Sequence, residues 1–197
     1  MSKRKLIVFD RVSADGYFAS ADGKLDWVVP DDEIDAQGAA GCEHADAIVF
    51  GRTTYDMFAS YWPHALDEDP HGAGRKSKNI AAMAKMINAA TKVVFSRTLE
   101  KVTWQGSRLV KEFDPAVIEK LKAEPGKGIM CFGSGSIVSL LTQHGLVDEY
   151  FFVVAPISLG AGKTLIQGVS KRTRLELKEA KGHESGNVVL RYARPQS

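Results

Sequence analysis

One feature constrains this chain more than any other. A short apolar run, a turn of small, polar or cationic residues, and then apolar side chains at helical spacing recur as one unit. The unit appears as "VFGRTTY" (49–55), "VFSRTL" (94–99) and "CFGSGSIV" (131–138). Apolar runs of this length, flanked by turn residues, read as strands buried on both faces. Strands that alternate with helices run parallel, because the helix carries the chain back to start the next strand in the same direction. Parallel sheets bind ligands beyond the carboxyl ends of their strands, where loops lead into helices. The three junctions therefore predict where a site lies as well as what the fold is.

The rest of the chain keeps this rhythm. Strands are predicted at 5–13, 46–50, 92–96, 128–132 and 149–157. Helices are predicted at 31–45, from 53 to about 62, and at 78–90, 114–124 and 136–144. Pro30 precedes the first helix and acidic residues fill its first turn, where the macrodipole favours them. Asp-Pro opens the helix at 114. The tail, "RLELKEAK" and "VVLRYAR" about "GHESGN", alternates with period two and predicts an antiparallel hairpin. There is no internal repeat or linker, so a single α/β domain is expected, with helices on both faces of a mostly parallel sheet.

Composition excludes several functions. A formal net charge of +2 over 197 residues lacks the basic stripe of a nucleic-acid binder. "GRKSK" (74–78) and "SKRTR" (170–174) read as solvated loops, as does "DEDPH" (67–71) within a polar loop from 63 to about 77. No apolar stretch approaches the ~20 residues that span a bilayer, and the N-terminus has no signal-peptide cleavage site. Two cysteines make no disulfide framework, and a cytoplasmic location is expected. "CEHAD" (42–46) has the wrong spacing for a zinc pair and no second pair, so no metal is expected. "GAGKT" (160–164) resembles the end of a triphosphate P-loop, but Ile157 stands where that motif needs a glycine, and Gly168 interrupts the following turn.

What the junctions share is phosphate chemistry. Glycine lets backbone approach a ligand closely, a helix's first N–H groups attract an anion, and Arg adds a forked donor. "CFGSGSIV" alone could be a plain turn. It is also a poor dinucleotide fingerprint, since Val138 takes the place of the third glycine. Three such junctions at neighbouring strand ends favour a phosphate-bearing ligand.

Taken with "FDRVSADGYFASADGKLDW" and "GLVDEYFFVVAPISLGAGKTL", these motifs run nearly the length of the chain. Together they resemble the dihydrofolate-reductase-like superfamily, and most closely the reductase domain of riboflavin biosynthesis. The resemblance implies that superfamily's three-layer α/β fold, with a mostly parallel central sheet and a C-terminal antiparallel hairpin. It also implies NADPH as cofactor, a pyrimidine- or pterin-like substrate, a homodimer, and no nucleic-acid or membrane partner. On the family's pattern, Gly51, Arg52, Thr53 and Thr54 with Ser96 and Arg97 take the adenosine phosphate end. Gly133, Ser134, Gly135, Ser136 and Ile137 take the pyrophosphate. A bulky residue at Gly135 is then expected to block the cofactor and spare the fold. The 2′-phosphate needs fixed cations beside the ribose, which Arg52 and Arg97 would supply.

The substrate side rests on weaker signals. "SADGYFASADGKLDW" (13–27) holds two Asp-Gly pairs, which also suit a plain surface hairpin. "WVVPDD" matches the Trp-x-x-Pro-x-Asp spacing of folate reductases, which implies that Trp27 lines the pocket and that Asp32 is the substrate-binding acid, with Asp15 as competitor. Asp31, Asp32 and Glu33 could equally cap a helix. Tyr55 and Ala155 are expected to face substrate. Folate reductases carry a Thr at the place of Ala155, so dihydrofolate itself is not the expected substrate. A binding module of the same fold without turnover is the alternative.

Overall fold

The computed structural model describes residues 3–67 and 78–195. Residues 68–77 lie outside it, including His71 of "DEDPH" and most of "GRKSK". Ten strands and five α-helices are present among the described residues. Eight strands form one sheet in the order β5-β4-β3-β6-β1-β7-β10-β9. They are β1 Leu6–Ser13, β3 Ala45–Gly51, β4 Thr91–Phe95, β5 Ser107–Val110, β6 Gly128–Phe132, β7 Glu149–Ala155, β9 Glu176–Gly182 and β10 Val188–Ala193. The first six in spatial order, β5 to β7, pair in parallel, and β10 and β9 close that edge as an antiparallel hairpin. A two-stranded ribbon, β2 Tyr17–Ala19 with β8 Lys163–Thr164, stands apart.

The helices are α1 Asp32–Glu43, α2 Arg52–Tyr61, α3 Lys78–Ala89, α4 Pro115–Ala123 and α5 Gly135–Gln143. They divide between the two faces as the strand periodicity dictates. In β1, Leu6 and Val8 pack with Ile118 and Leu121 of α4 and with Ile137, Val138 and Leu141 of α5. Ile7 and Phe9 point the other way, toward the cluster of Cys42, Phe50, Tyr55 and Ile87 from α1, β3, α2 and α3. Ile34 of α1 covers Val153 and Val189 on that same side. Each such aliphatic side chain removed from water contributes ~1.5–3 kcal/mol, so the two faces clamp the sheet independently.

Local signals set the helix ends. Asp31 caps α1, its Oδ1 accepting from the N–H groups of Glu33 and Ile34 at 3.0 Å each, so this residue lies just outside the helix. Asp114 caps α4 in the same way through Ala116 N–H, with Pro115 at the first helical position. Three strands were not expected. β5, "SRLV", is a four-residue edge whose hydrogen bonds come from β4. β2 and β8 have three and two residues, too few for any periodicity to register.

Candidate active site

A cleft of about 610 Å³ opens at the carboxyl ends of the central strands. The β3–α2 and β6–α5 junctions form its floor, and they are stitched together. Ser134 Oγ accepts from Gly51 N–H at 2.9 Å and donates to Thr54 Oγ1 at 2.8 Å. To reach both, Ser134 holds φ +65°, the sole non-glycine residue in the left-handed region among the described residues. Such backbone is costly and persists where the surroundings over-determine it. Packing leaves little room at Gly51, since an added Cβ would stand 3.0 Å from Ile137 Cγ1 and 3.2 Å from Ser134 Oγ.

This arrangement leaves two helix N-termini without capping side chains. Gly51 has none to offer α2, and Ser134 has spent its hydroxyl across the cleft instead of on α5. Uncapped first-turn N–H groups at the positive end of a helix are an anion site. The Arg52 guanidinium stands at the rim, donating to Thr98 Oγ1 at 2.9 Å. Ser96 lines the cleft but turns its hydroxyl to its own loop, accepting from Leu99 N–H at 3.0 Å.

The opposite wall is the β2–β8 ribbon, and here Lys163, paired with Ala19 through the backbone, lines the cleft with its side chain exposed and in no hydrogen bond or ion pair among the described residues, near enough to Asp22 to help hold that carboxyl low. The ribbon is held close. A Cβ on Gly162 would lie 2.5 Å from Ala19 O, and Asp15 ties down the preceding turn. Asp15 accepts from Ser13 Oγ (2.6 Å), Ser158 Oγ (3.0 Å), Leu159 N–H (3.1 Å) and Gly160 N–H (2.7 Å). These donors, Ser13 first, hold its carboxyl far below the usual range. A carboxylate so saturated is a loop clamp and a poor proton donor. Gly135 meets the same ribbon: an added Cβ would stand 2.9 Å from the Phe18 ring and 3.2 Å from Thr164 O. A Val there would displace the ribbon as well as any ligand, contrary to the expectation that the fold would be spared.

Among the expected cofactor residues, Gly51, Arg52, Thr53, Thr54, Ser96, Ser134, Gly135 and Ser136 border this one cleft. Gly133 makes the turn beneath it at φ +51°, and Ile137 packs under Gly51. Arg97 is exposed beside Ser96 and is not part of the lining. The expected substrate residues do not converge. Tyr55 is buried on the far side of α2, its hydroxyl accepting from Thr103 and Trp104 N–H at 3.1 Å each. Ala155 is buried at the end of β7, in register with Ser13. Trp27 is buried with Nε1 unpartnered. Asp32 is exposed in the first turn of α1; its neighbour Asp31 is the sequestered carboxylate, bonded to Ser185 Oγ and held low chiefly by that contact.

Three residues in or beside the cleft escaped sequence reasoning. Phe18 and Lys163 enter through the ribbon; the "GAGKT" glycines were the available signal for Lys163, weighed there only as the end of a P-loop. Asp10 of β1 is buried directly below Gly133, and burial pushes its carboxyl well above the usual range. Nothing in an apolar strand run marks one Asp as buried without a partner for Oδ2. Among the described residues no group of three or more His, Cys, Asp or Glu could hold a metal ion, and no helix is long and apolar enough to cross a membrane.

Comparison with known proteins gives this architecture its relatives. The Bacillus subtilis (strain 168) protein YyaP, itself uncharacterized, is 28% identical over 192 residues, covering 98% of this chain and 96% of its own. A crystal structure from Shewanella sp. PV-4, provisionally named a riboflavin biosynthesis protein, is 26% identical with a TM-score of 0.74, covering 98% and 99% of the two chains. Dihydrofolate reductase from Enterococcus faecalis, solved with NADP(H), shares the fold at a TM-score of 0.62 and 13% identity, over 99% of each chain. The match that spans residues 4–190 is to the RibD C-terminal domain, and with a dihydrofolate-reductase-like fold beneath it this chain belongs to that family.

Proposed function

We propose that this protein is an NADPH-dependent reductase of a pyrimidine- or pterin-like heterocycle, working as a homodimer in the cytoplasm. The observation that carries the reading is the locked pair of uncapped helix N-termini at Gly51 and Ser134, with Arg52 at their rim and Lys163 on the opposite wall of one cleft. The donor set suits a dinucleotide: backbone N–H groups and hydroxyls for the pyrophosphate, and guanidinium and ammonium for its charge. Bound there, NADPH supplies the hydride. The chain's part is to bind, orient and exclude water, which needs few reactive side chains. Arg52 and Arg97 are the cations proposed for the 2′-phosphate. Ala155, lacking a hydroxyl, supports a substrate other than dihydrofolate.

Dissociation constants for NADPH and NADH, by nicotinamide fluorescence, test the reading. Loss of Arg52 or Arg97 should weaken NADPH roughly tenfold, about 1.4 kcal/mol, and leave NADH nearly unchanged. Equal losses for both cofactors would remove the 2′-phosphate assignment. Oxidation of bound NADPH against a panel of pterins and aminopyrimidines tests turnover. Binding with no oxidation by any of them would mark a binding module.

A further inference from the structure

The connections out of β1 and β6 diverge. From β1 the chain goes to α1 on one face of the sheet; from β6 it goes to α5 on the other. Adjacent parallel strands whose connections leave toward opposite faces open a crevice at their carboxyl ends, the usual ligand position in such sheets. Here β1 and β6 stay paired up to Phe9 and Phe132. Beyond that point β6 turns away at Gly133, while β1 continues beside β7 to Ser13 and Ala155. Asp10 is thus the first residue of β1 to lose its β6 neighbour.

The side chain of Asp10 is 5% exposed, and its Oδ2 has no hydrogen-bond partner. Period-two alternation puts it on the face of Leu6 and Val8, toward α5. The point where a Cβ of residue 133 would stand lies 3.7 Å from Asp10 Oδ1 and 3.3 Å from Thr54 Oγ1, and Thr54 lines the cleft. The carboxyl is therefore one glycine away from the proposed cofactor site. The titratable neighbour on this face is the buried Cys131 thiol, itself pushed up by burial and by Asp10. No cation faces the pair among the described residues. A buried carboxyl oxygen with no partner is rare and calls for a cause.

We propose that Asp10 addresses a ligand ring at the floor of this crevice, hydrogen-bonding through its free Oδ2 to a carbonyl or carboxamide of that ring. Two sources present this chemistry, the nicotinamide carboxamide and a ring carbonyl of the heterocyclic substrate. The inference rests on the reductase reading. Burial raises the carboxyl and so favours its protonated form; in that form the group is an O–H donor, which suits a carbonyl acceptor and an uncharged ring.

The test compares wild type, Asp10→Asn and Asp10→Leu. Three probes are titrated: NADPH, adenosine 2′,5′-bisphosphate (the phosphates without the nicotinamide), and a pterin or aminopyrimidine added to the NADP⁺ complex. We expect Asp10→Leu to weaken NADPH or the heterocycle roughly tenfold and Asp10→Asn, which keeps a donor, by less than about threefold, with the bisphosphate unchanged. A loss for NADPH identifies the carboxamide as the source; a loss for the heterocycle alone identifies the substrate carbonyl. Unchanged affinity for both ring-bearing probes, or an equal loss for the bisphosphate, would overturn the assignment. Should wild type bind neither NADPH nor the bisphosphate, the reductase reading falls first and this inference with it. Difference infrared spectra of the wild-type protein guard against misfolded variants. They should show a protonated-carboxyl band, absent from Asp10→Asn, that shifts when the ring-bearing probe is added. A band that fails to shift on ligand addition would count against the contact.

Discussion

Burial sorts the carboxylates near the start of this chain into different jobs. Asp15 is saturated by four donors, Asp31 caps a helix and binds Ser185, Asp32 faces solvent, and Asp10 is buried beneath the Gly133 turn. For Asp10, desolvation dominates over the Gly133 N–H and raises the carboxyl. The folded state then holds a proton that the unfolded chain releases above pH ~4, so this residue subtracts stability as pH rises through that value toward its folded pKa. Asp10→Asn has no such proton. Its stability relative to wild type should climb in urea titrations as pH rises above ~4, until the folded carboxyl itself ionises; parallel pH profiles would show that Asp10 is ionised in the folded protein. Lys163 belongs to this scale too. Lys163→Ala should weaken NADPH and NADH by the same factor, roughly three- to tenfold, because the pyrophosphate is common to both. Selective loss for NADPH would move Lys163 to the 2′-phosphate.

Among the elements, the glycine turn before α5 illustrates how a site is paid for. Ser134 accepts an unfavourable φ so that one hydroxyl can bridge two junctions. Ser134→Ala keeps the strain and loses both hydrogen bonds, for a destabilisation of about 1–3 kcal/mol. Ser134→Gly loses the same bonds and relieves the left-handed strain of ~1–2 kcal/mol. The Gly variant should therefore unfold at higher denaturant than the Ala variant, and the reverse order would show that the hydroxyl bridge is not what fixes the turn. The turn that leads into β8 is tied down by one carboxylate, Asp15. Amide exchange at Leu159 and Gly160 should accelerate sharply in Asp15→Ala while β1 and β6 amides keep their protection.

At the level of the whole molecule, the site lies where the sheet's connections part, so ligand binding draws on both layers of helices. Each face has its own apolar cluster, α4 and α5 on one side and α1, α2 and α3 on the other. Binding to the folded state alone stabilises by ~2.7 kcal/mol at a hundredfold excess over the dissociation constant. For a chain of this length that corresponds to a rise in thermal midpoint of roughly 5–10 °C. NADPH should produce this shift in a thermal melt, and the Gly51→Val protein should show none, since its added side chain would collide with Ile137 and Ser134. An equal shift in that variant would place the cofactor elsewhere.

The sequence by itself determined the alternation of strands and helices, the hairpin at the end, and the residues of the strand-to-helix junctions that border the cleft. These are local facts: periodicity, turn chemistry and helix caps depend on neighbours within a few positions, and Asp31 or Asp114 caps whatever the rest of the chain does. Only the tertiary structure decided what depended on distant partners. Tyr55 points at Trp104 rather than the cleft because its hydroxyl is held by the Thr103 and Trp104 N–H groups of the connection between β4 and β5, 48 and 49 positions later in the chain. Lys163 reaches the site because Gly162 lets β8 press against Ala19, 143 positions earlier in the chain. Asp10 is singled out from its strand by the divergence of β6 at Gly133, 123 positions later. Burial and crossover direction are properties of the assembled sheet, and no window of local sequence contains them.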